Sequence, residues 1–391
     1  MIKQLFKDSL IYGLASILSQ GIPILIVPIY TRFLSPDSYG GMDMLAVFAA
    51  LINLTVALEI SQGMARSYAD IQTEDGRVRY ASTALWFSVA AYLLFTVLAV
   101  LFSQPLIHLL LDSGKWEWIF KVSVIAISAN GISFFLQNQL RWLLKPVAYA
   151  VCSIVYAVTT TGISIFLIAG LNWGVIGVFY GQIVGAGISG LLAWLFARKM
   201  FKMAFDTTKC IEMLTFSVPL VPSSISVLVA NYIDRIAIKS FMTLSDVGIY
   251  GVGFRFASVV NLLMVGFYSA LTPLIYQHYR KESTPGELER IMRYFLSGTL
   301  PLIMVVSLFS REIVGTFAAR EYYSAWTVIP LLSIASVLSR MYIFAPGLDI
   351  AKKTKVSIKE TKDYLANTSL PLTSSSNKEE LDLQVLCKTF N

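Results

Sequence analysis

The sequence contains few charged residues, few cysteines and almost no histidine. Only 14% of its 391 residues are charged, against about a quarter in a typical soluble domain. Cys152, Cys210 and Cys387 lack metal-ligand spacing, and an odd number of cysteines argues against a disulfide framework. His108 and His278 are the only histidines, and each stands alone at the edge of a loop. We therefore predict neither a metal site nor a cofactor.

Long polar loops are also missing, so no connection could house a soluble catalytic domain. The nearest acidic pairs, Asp112 with Glu117 and Glu312 with Glu321, have the character of solvated loop charges. An enzyme that works by acid–base or metal chemistry needs a positioned carboxylate pair or a ligand cluster. We predict that the chain is not an enzyme and has no catalytic residue.

Apolar and aromatic residues dominate what is present. Hydrophobic residues make up 56% of the chain, with 24 Phe, 19 Tyr and 7 Trp, and the mean hydropathy is +0.66. A bilayer-spanning helix needs roughly 20 mostly apolar residues. We predict an all-α polytopic membrane protein with about ten spans, at 10–30, 42–62, 81–103, 118–139, 147–169, 174–196, 213–233, 250–274, 294–314 and 325–346.

Basic residues alternate between the two sides of these spans. The N-terminus and the even-numbered loops hold 18 Lys and Arg, whereas the odd-numbered loops hold 7. Because positive loops stay in the cytoplasm, this bias predicts a cytoplasmic N-terminus. The basic loops also account for the net charge of +7, so this charge does not indicate nucleic-acid binding. Lys3 and Lys7 precede an apolar run with no small-residue cleavage site, so we interpret that run as the first span rather than a signal peptide.

Two similar segments suggest an internal repeat. Residues 32–40 read RFLSPDSYG, and residues 244–251, about 210 positions later, read LSDVGIYG. Each follows an odd-numbered span, so we predict a parallel repeat of two lobes. We interpret each segment as a tight outer turn, with Tyr39 at the membrane interface and Gly40 free to adopt positive φ. The residues assigned to these turns are Pro36, Tyr39, Gly40, Tyr250 and Gly251.

Several passages resemble one protein family. They are YTRFLSPDSYG at 30–40, Pro219 early in the seventh span, Asp234-Arg235 at its end, and GLDIAKKTK at 347–355. In this order they are similar to the bacterial O-antigen and capsule flippases often called Wzx. These belong to the multidrug/oligosaccharidyl-lipid/polysaccharide exporter superfamily. The resemblance covers about residues 1–355.

The resemblance implies a function in the bacterial inner membrane. Such flippases move undecaprenyl-diphosphate-linked oligosaccharide from the cytoplasmic to the periplasmic leaflet by alternating access between two lobes. The implied partners are membrane lipids, the lipid-linked oligosaccharide, and the polysaccharide polymerase with its chain-length machinery.

Polar residues at the inner ends or depths of spans are the candidate cargo contacts. A diphosphate needs a cationic partner, and arginine can bind it in a bidentate manner. A charge at such depth costs at least about 2.5 kcal/mol on insertion scales, so it usually faces a cavity or a partner. Some could instead be anchors that snorkel to headgroups. We expect Arg66→Ala and Arg255→Ala to reduce translocation. The full set of candidates is Arg66, Arg141, Arg255, Arg340, Gln62 and Asn138.

Acidic residues near spans leave two other functions open. Glu59 and Asp43 could couple transport to a cation, as a drug or metabolite antiporter of the same superfamily would require. Asp234 with Arg235 is most simply an outer-end ion pair. Only these acids lie near spans, against several arginines at the inner ends or depths of spans, which favours an anionic cargo. The second alternative is a membrane enzyme of polysaccharide assembly, which would need a larger outer loop.

The sequence changes character after Lys355. Residues 356–391 are polar and contain no run that could span a bilayer. The resemblance implies twelve to fourteen helices, so we expect a six-helix lobe at 1–200, an incomplete four-helix lobe at 210–355 and a polar tail at 356–391. A frameshift or early stop would produce this pattern, and a genuine ten-span variant is the alternative.

Overall fold

The computed structural model describes residues 21–344, except residues 23, 72, 112–113, 279–283 and 340. It describes only the backbone of residues 69–70, 262–278, 284–285 and 342–343. No strand occurs among these residues, and the all-α prediction is confirmed. The helices are α1 (Val27–Phe33), α2 (Pro36–Thr55), α3 (Ile60–Asp70), α4 (Glu74–Leu101), α5 (Ser103–Leu111), α6 (Glu117–Trp142), α7 (Pro146–Ile165), α8 (Val175–Ala197), α9 (Thr207–Ser217), α10 (Val221–Phe241), α11 (Leu244–His278), α12 (Thr284–Leu308), α13 (Ser310–Phe317) and α14 (Ile329–Leu338).

Most of the predicted spans correspond to long apolar helices. Within the described ranges, six helical segments are long and apolar enough to cross a membrane, and α2 with α3 forms a seventh bent by 41°. The segment Thr207–Phe241 joins α9 and α10 through a 3₁₀ turn that contains Pro219. The count of ten spans stays a prediction. The N-terminal residues before 21, Arg340 and the polar tail lie outside the described residues.

The two repeated segments are helix starts, not outer turns. Ser35 caps α2, because its side chain accepts a hydrogen bond from the backbone N–H of Ser38 at 3.3 Å, and Pro36 occupies the first helical position. At the start of α11, Thr243 and Asp246 form a reciprocal cap. The Thr243 N–H donates to the Asp246 carboxylate at 3.0 Å, and the Asp246 N–H donates to the Thr243 hydroxyl at 3.3 Å. Both segments therefore begin a helix.

The helices α2 and α11 cross at a pair of glycines. A Cβ on Gly40 would lie 1.8 Å from the carbonyl oxygen of Leu244, and a Cβ on Gly248 would lie 2.0 Å from the carbonyl oxygen of Pro36. This reciprocity pairs Gly40 with Gly248, so the predicted alignment of Gly40 with Gly251 is shifted by one helical turn. Gly40 is needed for close backbone approach, and not for positive φ as we had expected. We call this contact the glycine crossing.

The chain segments before and after residue 200 also meet at the opposite end of the bundle. Helix α9 packs on α3 so closely that a Cβ on Gly63 would lie 2.4 Å from the carbonyl oxygen of Met213. The Tyr80 hydroxyl on α4 donates a 2.5 Å hydrogen bond to the Glu212 carboxylate on α9. The contacts of α3 and α4 with α9 therefore join the two predicted lobes at this end of the bundle.

Candidate functional site

A cavity of about 940 Å³ lies between α2, α3, α4 and α6 on one side and α10 on the other. It reaches the end of the bundle opposite the glycine crossing, where Arg141 and Trp142 are exposed. Most of its walls carry amide, hydroxyl and aromatic groups beside short apolar side chains. The polar and aromatic lining residues of this central cavity are Asn53, Glu59, Ser61, Gln62, Ser88, Tyr92, Phe134, Phe135, Asn138, Arg141, Trp142, Ser223, Ser224, Asn231 and Tyr232.

A break between α2 and α3 brings a carboxylate to the cavity wall. Leu58 and Glu59 both adopt positive φ, at 48° and 54°, which is uncommon for residues with a side chain. Such a conformation persists only where the surroundings hold it, and it often marks a functional site. The Ser224 hydroxyl on α10 donates a 2.9 Å hydrogen bond to Glu59, so this contact crosses the cavity from one wall to the other.

Three of the predicted cargo residues line the central cavity. Gln62, Asn138 and Arg141 all contribute to its wall. The Arg141 guanidinium lies 5.3 Å from the centre of the Tyr149 ring, and this cation–π contact helps to orient it. Arg66 is exposed one helical turn beyond Gln62 on α3, outside the lining residues.

A buried ion cluster lies beyond the closed end of the cavity. Asp43 accepts from Arg235 at 2.8 Å through one carboxylate oxygen, and its other oxygen lies 3.5 Å from the Arg255 guanidinium. The side chains of Asp43 and Arg235 are only 8% and 6% exposed. Asp234 pairs with Arg235 at 3.3 Å, so two acids balance two arginines. We call these four residues the ion cluster.

This cluster differs from what the sequence led us to expect. Asp234 and Arg235 do pair, but Arg235 also reaches across to α2 and is buried. Arg255 contacts Asp43 instead of lining the cavity, so the structure places it outside the predicted cargo site. Asp43 is held by two arginines, which leaves little room for the coupling cation that we considered.

Aromatic side chains surround the ion cluster. Tyr39 is fully buried, with its ring 5.8 Å from that of Tyr322 and 5.0 Å from the Arg255 guanidinium. The prediction that Tyr39 lies at the membrane interface is therefore wrong. Tyr39 precedes Gly40, where α2 packs closely against α11, and its side chain is buried in this contact region. Tyr250 donates a short hydrogen bond to Asp234. A Cβ on Gly251 would lie 2.9 Å from the Asp43 carboxylate, so the small residue leaves room for this acid.

Several lining residues were not among the predicted site residues. Asn53 lies within an apolar run of α2, and Tyr92 donates to it at 3.2 Å. The sequence could have indicated Asn53 as a site residue, because it is an amide within an apolar span. A polar group in a membrane helix usually has a partner or faces a cavity. Trp142 gave no comparable signal, since aromatic residues are common at helix ends in membranes.

A smaller cavity of about 350 Å³ adjoins the central one and shares Asn53 and Phe134 with it. Amide and hydroxyl groups make up much of its lining, and none of the described lining residues is charged. Asn130 donates to Gln182 at 3.3 Å, and Gln137 donates to a serine hydroxyl at the same distance. Such uncharged donors and acceptors suit water or sugar hydroxyls.

Comparison with known proteins identifies the family. The family profile described as "Polysaccharide biosynthesis protein" matches residues 5–278, well over half of the chain. The chain belongs to this family. The match spans α1 to α11, and it therefore includes the glycine crossing, the ion cluster and all the residues that line the central cavity. The family resemblance noted from the sequence is confirmed.

Two curated relatives match most of the length of this chain. A protein of the Lsg locus of Haemophilus influenzae is 23% identical over 365 residues, which cover 88% of this chain and 86% of that protein. The succinoglycan biosynthesis transport protein ExoT of Rhizobium meliloti is 22% identical over 347 residues, covering 84% of this chain and 65% of that protein.

Solved structures of MATE transporters share its fold. An inward-facing multidrug resistance MATE transporter of the MOP superfamily gives a TM-score of 0.62 at 14% identity, covering 84% of this chain and 80% of that one. An outward-facing form gives 0.61 at 16% identity, covering 87% and 81%. The bent form of VcmN from Vibrio cholerae gives 0.56 at 15% identity, covering 88% and 81%. At these identities the similarity concerns the fold alone.

Proposed function

We propose that this protein is a flippase for a lipid-linked oligosaccharide. It would carry an undecaprenyl-diphosphate-linked repeat unit from the cytoplasmic to the periplasmic leaflet by alternating access. The central cavity carries this proposal, because its lining combines many amide, hydroxyl and aromatic groups with an arginine at the mouth. Family membership and the names of both relatives, one of them a transport protein, support export of a polysaccharide intermediate.

The lining of the cavity suits the two polar parts of such a cargo. Asn138, Gln62 and Ser223 offer donors and acceptors for sugar hydroxyls, and exposed aromatic faces such as that of Phe134 can stack on a sugar ring. Arg141 would bind the diphosphate, since a guanidinium can hold two phosphate oxygens at once. Arg66, one turn beyond Gln62, would extend the cationic surface at the mouth.

The glycine crossing and the ion cluster would act as the periplasmic gate. Both lie at the end of the cavity that the basic-loop bias assigns to the periplasm. Opening this end requires α2 to separate from α10 and α11, which breaks the contacts of Asp43 with Arg235 and Arg255. The break at Leu58 and Glu59 provides a point at which α2 and α3 could bend independently.

A leaflet-resolved assay of lipid-linked repeat units tests the function. We expect deletion of the gene to accumulate complete units that face the cytoplasm, and expression of this chain to restore their export. Accumulation facing the periplasm would instead indicate a polymerase. Normal export in the deletion strain would exclude the proposed function and favour a different cargo.

Replacing Arg141 with alanine should lower export by about tenfold or more, because a charge-assisted contact to the diphosphate is lost. Arg141→Lys should fall between alanine and wild type, since lysine keeps the charge but not the bidentate geometry. Export is measured at equal protein level in membranes. Arg293→Ala is the control, because Arg293 is exposed on α12 and pairs with Glu289 at 2.6 Å. Equal export from the Arg141 and Arg293 alanine variants would remove Arg141 from the cargo site.

A cation-coupled antiporter is the second candidate, and Glu59 in the cavity wall is the observation that favours it. If Glu59 serves only as a hydrogen-bond acceptor for Ser224, Glu59→Gln should keep export within about fivefold of wild type, since the amide oxygen still accepts. Glu59→Leu, which cannot accept, should lose more. A glutamine variant as inactive as the leucine variant, with export no longer responding to the ion gradient, would favour coupling through the carboxylate.

A further inference from the structure

A second pocket, of about 660 Å³, opens on the rim of the bundle at the same end as the mouth of the central cavity. Its walls come from the end of α3, the start of α4, the junction of α6 with α7 and the end of α8. Elements distant in sequence therefore meet at one place. We call it the rim pocket.

Positive charge converges on the rim pocket from three separate elements. Arg77 lies on α4, Lys145 precedes α7, and Arg198 and Lys199 follow α8, while Glu74 is the one acid among the lining residues whose side chains the structure describes. The Arg77 Nε donates to the Ile71 carbonyl at 3.0 Å, which fixes its guanidinium. Lys145 donates to the Phe196 carbonyl at 2.9 Å. The local excess of cations suits an anion with several oxygens.

Exposed apolar side chains stand beside these cations. Leu144 is 82% exposed, with φ of 52°, and Leu195 and Phe196 are each 43% exposed. An apolar surface next to a basic pocket at the end of membrane helices matches an anionic headgroup with an attached hydrocarbon chain better than a free anion. Trp142 and Leu144 also line the central cavity, so a single wall separates the two spaces.

We propose that the rim pocket binds the phosphate group of a lipid, and that the side chains of Arg198 and Lys199 make the main contacts to this phosphate. The bound phosphate lies against the wall formed by Trp142 and Leu144, and the lipid chain runs along the exposed apolar side chains. Two lipids carry a phosphate next to a hydrocarbon chain and could occupy the pocket: a polyprenyl-linked cargo with its diphosphate, and an anionic phospholipid of the bilayer. The cargo version rests on the proposed flippase function, whereas phospholipid binding does not.

Native mass spectrometry of the purified full-length chain tests this site. The probes are a polyprenyl diphosphate, phosphatidylglycerol, phosphatidylcholine and inorganic pyrophosphate, each titrated to give an apparent Kd. We expect the two anionic lipids to bind more tightly than phosphatidylcholine and pyrophosphate. The double variant Arg198→Gln with Lys199→Gln should weaken anionic-lipid binding by about tenfold or more.

A matched double variant controls for net charge. Arg79 and Lys202 lie at the same end of the bundle, are more than half exposed and both pair with Asp75, but neither lines the pocket. Arg79→Gln with Lys202→Gln should leave lipid binding near wild type. Equal weakening by both double variants, or pyrophosphate binding as tightly as the lipids, would overturn the proposal.

Tighter binding of the polyprenyl diphosphate than of phosphatidylglycerol would assign the site to the cargo, and the reverse would assign it to a bilayer lipid. The experiment measures lipid binding and not transport. Its result would therefore remain valid even if the export assay contradicted the proposed flippase function.

Discussion

Replacing Asp43 with alanine is expected to destabilise the protein by about 3–5 kcal/mol. The substitution leaves Arg235 and Arg255 without the acid that contacts both, and Arg235 is only 6% exposed. An unbalanced buried cation costs more than the ion pair itself contributes, because the desolvation penalty remains when the attraction is gone. The free energy of unfolding in mixed micelles, followed by helical circular dichroism during SDS titration, measures the effect.

Asp37 provides a matched control on the same helix. It pairs with Lys115 at 2.6 Å, but both side chains are well exposed at 40% and 60%. An exposed ion pair contributes about 0–1 kcal/mol, so Asp37→Ala should have little effect. Combining Asp43→Ala with Arg235→Ala should cost less than the sum of the single variants, by roughly 0.5–3 kcal/mol. Equal losses for Asp43→Ala and Asp37→Ala, or strict additivity in the double variant, would show that the ion cluster does not hold α2 against α10.

Replacing Gly40 with valine should cost about 3 kcal/mol or more and reduce export, because the two crossing helices must separate. A Cβ at this position would lie 1.8 Å from the Leu244 carbonyl oxygen. No rotamer change can relieve this contact, because the helix backbone fixes the positions of both atoms. Gly248→Val should behave similarly, since its Cβ would meet the Pro36 carbonyl oxygen at 2.0 Å. Thermal unfolding in detergent and the leaflet-resolved export assay measure the two effects.

Gly187 on α8 is the control for this prediction. A Cβ there meets no atom within 4 Å, so Gly187→Val has open space. Its stability should change by less than about 1 kcal/mol, in line with the small propensity difference between glycine and valine in a helix. If the Gly40 and Gly187 variants unfold at the same temperature, α2 and α11 do not depend on the glycine crossing.

The sequence predicted the helices well because the bilayer leaves few alternatives. An apolar run of about 20 residues must satisfy its backbone hydrogen bonds internally, so it forms a helix wherever it lies in the chain. The same reasoning located part of the central cavity. Gln62, Asn138 and Arg141 are polar residues near the ends of apolar spans, and all three line it. The basic-loop bias likewise predicts an orientation in the membrane, which no contact within the chain tests.

Contacts between distant helices could not be predicted in the same way. The sequence contains glycines at 248 and 251, and a short repeat does not indicate which of them matches Gly40. Only the crossing of α2 with α11, with its reciprocal backbone contacts, pairs Gly40 with Gly248. The burial of Tyr39 follows from that crossing, which turns an apparent interfacial residue into a core residue.

What the sequence by itself determined was the class of protein, its family and the polar ends of its spans, since each depends on local composition or on motif order. The tertiary structure decided the partners of charged groups. Asp43 and Arg235 are separated by nearly half of the chain, and no periodicity connects them. Their ion pair exists because the glycine crossing brings α2 beside α11 and, next to it, α10. In a membrane span, a buried charge must find a partner at its own depth, and only the packing of the helices determines which residue that is.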